Sequence, residues 1–335
     1  MSTKQLKHPK WQPWASQEVL VARAEMLANI RLFFKAREVL EVETPLLGAT
    51  TNPDPNLRSL RAISDTATER SYFLQTSPEF AMKRLLAAGT GDIYQVCKVF
   101  RDDERGRWHH PEFTLLEWYR IGWSLDELID ETLALIYQLS DAEVQTEPKR
   151  YSYYDCFNDA LGVNPHRASQ QQLKQIIEEQ LSGLPPTTDN VDTLLDWILA
   201  VHILPKMDTQ MPIVIVDYPK SQAALAQTCQ RQYADGEDEV AERFEVVWQG
   251  VELANGFFEL GDAVEQRQRF DTQNKQRQQL GLPQLELDQS LLSALSSGQF
   301  PVCAGVALGL DRLLMLKLGC RHIDEVLSFA VDKMT

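Results

Sequence analysis

Residues 99–119, VFRDDERGRWHHPEFTLLEWY, read as two apolar strands joined by a polar loop, with Arg101 at the mouth of the loop. Upstream, residues 30–46, IRLFFKAREVLEVETPL, carry an amphipathic helix into a short strand that Pro45 ends. Downstream, residues 305–312, GVALGLDR, form a strand punctuated by glycine that feeds Arg312 into the start of a helix. Each stretch is a weak signal by itself. Three in this order, with these internal spacings, are a strong one.

The pattern between and around them fills in a large α+β chain. From residue 19 to residue 40 the apolar positions Met26, Ile30, Phe33, Phe34 and Leu40 recur at helical spacing, with Arg23, Arg31 and Arg37 off that stripe. Ser77-Pro78-Glu79 reads as a helix start, with Ser77 capping, Pro78 first and an acidic residue in the first turn. That helix is predicted to stop at Gly89. Strands are predicted over 93–100 and 113–119, and a helix over 124–139. Residues 213–217 read as a buried strand, 244–248 and 251–254 as a hairpin, and 263–280 as a strongly polar helix. Residues 1–18 are expected to be a loose leader, with Trp11 and Trp14 as docking points. Residues 141–205 read as a mainly helical insertion in a catalytic domain spanning 19–335.

Composition narrows the partners. With 335 residues the chain can bury a large core, and a net charge of -15 argues against a general nucleic-acid surface. The five cysteines are odd in number and show no CxxC pairing, which points to buried thiols in a reducing, cytoplasmic setting. Lys4, Lys7 and Lys10 precede no apolar segment, so no signal peptide is expected. The apolar run over 194–204 is broken by Asp196 and His202, so no membrane span is expected.

Two glutamates carry a geometric argument. If Gln249-Gly250 is a two-residue turn, Val247 faces Glu252 across the hairpin, and Glu245 shares the face of Val247 by period two. Glu245 and Glu252 are then diagonal neighbours suited to Mg²⁺ bridging nucleotide phosphates. A one-residue change in the turn would reverse the parity and leave two solvated glutamates. No GxxxxGK[ST] sequence is present, so a P-loop site is not expected.

The three quoted stretches resemble motifs 1, 2 and 3 of the class II aminoacyl-tRNA synthetases, most closely the lysyl-tRNA synthetases. The resemblance covers roughly residues 19–335. It implies an antiparallel sheet flanked by helices, a homodimer formed through the motif 1 helix, and ATP with Mg²⁺ as reactants of an adenylate-forming reaction. Arg101 matches the arginine that clamps the α-phosphate and the substrate carboxylate, a role that suits a bidentate guanidinium. Asp102, Asp103, His110, Val246 and Gly309 fall on the ATP side. Asp103 stands where the family has Glu, and His110 where it has Asn. Phe113 and Arg312 match the residues on the two faces of the adenine, Arg312 by cation–π contact. Glu245 and Glu252 match metal-binding glutamates.

On the amino-acid side, Glu259 matches the residue that holds the lysine ε-ammonium, and Tyr119 the tyrosine beside it. Glu79 and Glu117 match residues near the backbone amino group, with Ser77, Pro78, Glu252 and Asn255 adjacent. The family has Gly-x-Gly-x-Gly in motif 3, whereas this chain has Ala307 at the middle position. Lysyl-tRNA synthetases carry an anticodon-binding barrel ahead of motif 1, for which no room is expected here. The ELANGF and GVALG segments of a short chain are similar to the elongation factor P lysyltransferases. That likeness implies (R)-β-lysine or lysine as substrate, elongation factor P as acceptor, and no tRNA. The alternatives are a tRNA-independent asparagine synthetase, a truncated lysyl-tRNA ligase and a regulatory paralogue.

Overall fold

The computed structural model describes residues 11–64, 71–102, 104–142 and 148–331. Asp103 and Lys4, Lys7 and Lys10 lie outside the described residues. Trp14 and Ala15 are tied through their amides to the Ser328 and Leu327 carbonyls, while the Trp11 ring stays exposed. The main chain here is anchored, and Trp11 is not the docking point expected of it.

Ser16 caps α1 (Gln17–Lys35), which buries Met26, Ile30, Phe33 and Phe34. The predicted stripe runs past the helix end at Lys35 to Leu40. Glu38 takes a left-handed φ of 58°, the Val39 amide bonds back to the Phe34 carbonyl, and the helix closes. Leu40 therefore opens β1 (Leu40–Glu41) and is exposed. A small three-stranded sheet follows, built from β2 (Leu47–Gly48), β3 (Arg61–Ile63) and β4 (Ser71–Leu74).

Helix α2 (Glu79–Ala87) starts one residue later than the spacing predicts. Pro78 occupies the cap position, although the Ser77 hydroxyl still accepts the Glu79 amide at 3.0 Å. Strands β5 (Ile93–Phe100) and β6 (Glu112–Ile121) and helix α3 (Leu125–Ser140), capped by Ser124, lie where the pattern puts them. Next come β7 (Arg150–Ser152), α4 (Tyr153–Leu161), α5 (Gln170–Gln180) and α6 (Val191–Ile198). Their apolar side chains form a satellite core against Ile213, Ile215, Tyr218, Ala241 and Val247. This segment is not wholly helical, since β7 joins the main sheet in parallel with the following strand.

The remaining elements are β8 (Ile213–Pro219), β9 (Thr228–Tyr233), β10 (Gly236–Trp248), β11 (Val251–Phe258), α7 (Ala263–Gln279), α8 (Gln289–Ser296), β12 (Cys303–Gly309) and α9 (Leu310–Lys317). The main sheet runs β1-β5-β6-β12-β11-β10-β8-β7, with β9 paired to β10. Its centre is antiparallel, and the outer pairs β1–β5 and β7–β8 are parallel. The architecture is an α+β sheet flanked by helices.

Helices α1, α3 and α9 cover one face of this sheet, where Leu116, Trp118, Val306, Leu308, Phe244 and Val246 are buried. Period-two alternation sends Phe113, Leu115, Glu117 and Tyr119 of β6, and Gly305, Ala307 and Gly309 of β12, to the other face. Asp311, 1% exposed, pairs with Arg23 of α1 and accepts the Thr114 amide of β6 at 2.6 Å. One carboxylate thus ties together elements from all three quoted stretches.

Among the described residues no helix is long and apolar enough to cross a membrane. All five cysteines are free, but only Cys156 and Cys303 are fully buried.

Candidate active site

The uncovered face of the sheet floors a cleft of about 2090 Å³. One row of paired residues crosses it from strand to strand: Gln95, Glu117, Ala307, Asn255 and Glu245. The next row on β6 and β12 pairs Tyr119 with Gly305, which pairs in turn with Phe257. A Cβ on Gly305 would lie 2.4 Å from Tyr119 Cε1 and 2.5 Å from Glu259 Oε1, so only glycine leaves these two side chains in place.

Gln249 and Gly250, with φ of 50° and 75°, make the two-residue turn at the end of β10 and β11. Val247 pairs with Glu252 as the parity argument requires. The ladder then shifts, pairing Val246 with Ala254 and Glu245 with Asn255, so that Leu253 is an extra residue. Leu253 and Ala254 both join the core. Without that bulge Glu252 and Asn255, three residues apart, would point to opposite faces. With it, both line the cleft beside Glu245.

One end of the cleft is a cluster of carboxylates. Glu117 accepts hydrogen bonds from the Ser77 and Tyr119 hydroxyls, each at 2.7 Å. Burial pushes its carboxyl up to about 7, helped by the neighbouring charge of Glu79. Glu259 is raised to about 8, again by burial first, with Lys83 pulling the other way. Lys83 lies between Glu79, at 2.7 Å, and Glu259, at 2.5 Å. It was not expected from the sequence. The signal was present, however: a lysine four residues after Glu79 on a helix face that is otherwise apolar.

The opposite end carries the arginines. Arg101 sits 5.1 Å over the Phe113 ring, 3.6 Å from Glu104, and its buried Nε has no hydrogen-bond partner. An unused guanidinium donor facing a cleft suits an incoming phosphate or carboxylate oxygen. Arg312 bonds the Trp108 and Glu252 carbonyls, lies 3.5 Å from the Glu252 carboxylate and contacts His109 Nε2 at 2.6 Å. His109, also unforeseen, is held below the usual histidine range by burial and by the Arg312 charge.

The neighbouring His110 is buried as a tie. Its Nδ1 contacts the Glu112 main chain and its Nε2 accepts the Val331 amide at 3.1 Å. Asp102 lines a separate small groove with Arg58, Arg61 and Arg277. Val246 points into the core on the other face, leaving only its main chain near the site. Gly309 has φ of -76° and room for a Cβ, so no backbone strain requires glycine there. Pro78 turns the chain into α2 and does not line the cleft.

Glu245 pairs with Arg243 at 2.5 Å. Burial raises its carboxyl to about 7, the Arg243 cation opposes that rise and the charge of Glu252 adds to it. Arg243 also donates to Asn255 and the Gln222 carbonyl, and stacks 4.4 Å over Tyr218. Its place two residues before Glu245, on the same strand face, was legible by period two. Among the described residues no cluster of three or more histidine, cysteine or acidic side chains suits a metal ion. The Glu245–Glu252 pair does fit a cation whose remaining ligands come from elsewhere, because an ion there would relieve two facing carboxylates.

A row of cleft-facing residues across an antiparallel sheet, with arginines at one end and carboxylates at the other, is the arrangement of a class II synthetase. The family described as tRNA synthetases class II (D, K and N) matches residues 7–333, and the chain belongs to it. Within it, the chain is 45% identical to an elongation factor P--(R)-beta-lysine ligase of Vibrio vulnificus (strain YJ016) over 326 residues, covering 95% of this chain and 97% of that one. It is 44% identical to the protein of that name from Photorhabdus laumondii subsp. laumondii, over 96% of this chain and 98% of the relative. The counterpart from Salmonella gallinarum is 43% identical with the same coverage.

Proposed function

We propose that this chain activates (R)-β-lysine with ATP and transfers it to a lysine side chain of elongation factor P. The observation that carries the reading is the charge layout of one cleft: Glu79, Glu117 and Glu259 face Arg101 and Arg312 across the sheet. A substrate with two ammonium groups and one carboxylate matches that polarity end to end. The likeness to the β-lysine ligases points the same way.

In the first step a carboxylate oxygen of the amino acid forms a bond to the α-phosphorus. The bond from that phosphorus to the bridging oxygen breaks, and pyrophosphate leaves with the electron pair. Arg101, with its free Nε, stabilises the charge that grows on the α-phosphate. Phe113 and Arg312 hold the adenine between them. Glu259, Glu117 and Tyr119 fix the ammonium groups, which orients the carboxylate for attack. Glu245 and Glu252 would hold Mg²⁺, which when bound would neutralise phosphate charge. In the second step the acceptor ε-amine forms the C–N bond, AMP leaves, and the amine loses a proton.

We read residues 19–335 as one catalytic domain, with 141–205 inserted in it and 1–18 as its leader. The acceptor is a protein and not tRNA, a reading supported by the net charge of -15. Exposed Leu20, Val21 and Leu32 on α1 support a homodimer through that helix. The enzyme works in the cytoplasm, where ATP and elongation factor P occur.

Pyrophosphate exchange with a panel of amino acids tests the first step. β-Lysine is expected to give the highest kcat/KM. Exchange dependent on aspartate would replace this reading with that of an asparagine synthetase, and no exchange at all would leave a regulatory protein. Transfer assays with purified elongation factor P and with bulk tRNA then test the acceptor. Comparable charging of tRNA would overturn the protein-only acceptor.

A further inference from the structure

Lys83 is 1% exposed, and a buried ammonium is stable only when carboxylates compensate it. It has two, from different parts of the chain: Glu79 one turn earlier on α2, and Glu259 just beyond β11. The contact with Glu259 is the shorter of the two, with Glu259 Oε2 at 2.5 Å from the ammonium. Glu117 has no cation of its own and is held by the Ser77 and Tyr119 hydroxyls. With all three carboxylates ionised, as they would be facing a bound dication, three charges less one ammonium leave two negative charges at this end of the cleft.

We propose that Lys83 is a positioning residue that ties Glu79 to Glu259 and sets the charge of the amino-acid pocket to match a substrate carrying two ammonium groups. The inference rests on the amino-acid-activating reading above and deepens it. An ordinary structural ion pair needs one carboxylate and lies away from substrate. Here both partners line the cleft, and they come from two elements whose separation sets the pocket's width.

The groups facing Lys83 are few. Glu79 shares its helix, Glu117 and Tyr119 come from β6, Glu259 follows β11, and Cys303 lies on β12. Burial keeps the Tyr119 phenol and the Cys303 thiol well above their usual ranges, so both stay neutral at working pH. The carboxyl groups are then what titrates. Burial already holds Glu259 high, and Lys83 is the largest influence drawing it down. Removing the Lys83 charge raises it further, so ionising Glu259 to meet a dication costs more at neutral pH and the pocket's affinity for the substrate falls.

The test is the pH dependence of β-lysine KM in pyrophosphate exchange for the parent enzyme and for Lys83→Met, Lys83→Gln and Lys83→Arg. The two neutral variants are expected to raise β-lysine KM by about tenfold or more at pH 7, the equivalent of a shift of one pKa unit. The gap closes as pH rises, and KM for ATP stays unchanged. Lys83→Arg is expected to keep the parent's profile. Thermal unfolding and ATP binding show which variants fold. A KM increase that is the same at every pH, or no increase, would make Lys83 a packing residue only. If neither neutral variant folds, Lys83→Arg decides alone: an acid limb in the parent's place supports the inference, and one moved upward overturns it. Absence of β-lysine-dependent exchange in the parent would instead sink the activation reading itself.

Discussion

Ala307 on β12 stands directly opposite Glu117 on β6. Its other neighbour in the row is Asn255 of β11, so its methyl projects between two cleft-lining residues. A β-amino acid carries its amino group one carbon further along than an α-amino acid, and the pocket must change shape near that point. Ala307→Gly is expected to move preference from β-lysine toward α-lysine by roughly 10–200-fold, the range for one methyl in a packed site. ATP binding should be unaffected. The check is kcat/KM for adenylate formation with both isomers; an unchanged ratio leaves Ala307 as packing.

Glu259→Gln keeps the shape and removes the carboxylate that, in the proposed reading, faces the substrate ammonium. Activation of lysine-like substrates is expected to be lost while ATP still binds. Calorimetric titration with each ligand separates the two effects. Unchanged amino-acid affinity would take Glu259 out of the pocket.

Gly305→Ala drives a methyl against Tyr119 and Glu259, both buried. Such overpacking costs about 1–3 kcal/mol when neighbours cannot move. A lower melting temperature together with a large loss of amino-acid activation is expected. Normal activation would mean that the pair shifts freely.

Asp311→Ala leaves the Arg23 guanidinium and the Thr114 amide without their shared acceptor. Removing one partner of a buried pair costs about 3–5 kcal/mol, and the partial exposure of Arg23 puts this case at the lower end. Urea unfolding is the measurement. A loss below about 1 kcal/mol, the worth of an exposed pair, would show that the three motifs hold together without this tie.

The free enzyme is expected to lose stability as pH rises. Glu117 and Glu259 are raised to about 7 and about 8, so the folded state holds protons that the unfolded chain has released above about pH 4.5. Their contribution is full below the unfolded value and disappears as pH passes through 7 to 8. Bound β-lysine reverses this, because its ammonium groups favour the ionised carboxylates. Its stabilisation in thermal unfolding should be larger at about pH 8 than at about pH 6. Equal stabilisation at both would argue that the carboxylates do not meet the ligand.

Local pattern made much of this protein readable before folding. The stripe of Met26, Ile30, Phe33 and Phe34, the alternation along β6 and β12, and the Gln249-Gly250 turn all follow from one period or one backbone preference. The stop at Lys35 was not readable, because Glu38 adopts a left-handed conformation that its residue type does not announce. Asp102 and His110 share a loop with Arg101, yet Asp102 lines a separate groove, while His110 stays at the cleft wall with its ring held by the Val331 amide. Spacing in a loop fixes neither direction.

The chain's own residue order therefore determined the class of fold, the strands that floor the cleft and most of the side chains that face it, since period two acts within a single strand. Tertiary structure decided the rest. The bulge at Leu253 put Glu252 and Asn255 on one face, α2 brought Lys83 between Glu79 and Glu259, and Asp311 drew Arg23 and Thr114 together. Register and burial arise only when distant segments pair, and a buried charge acquires its meaning from partners that no local window contains.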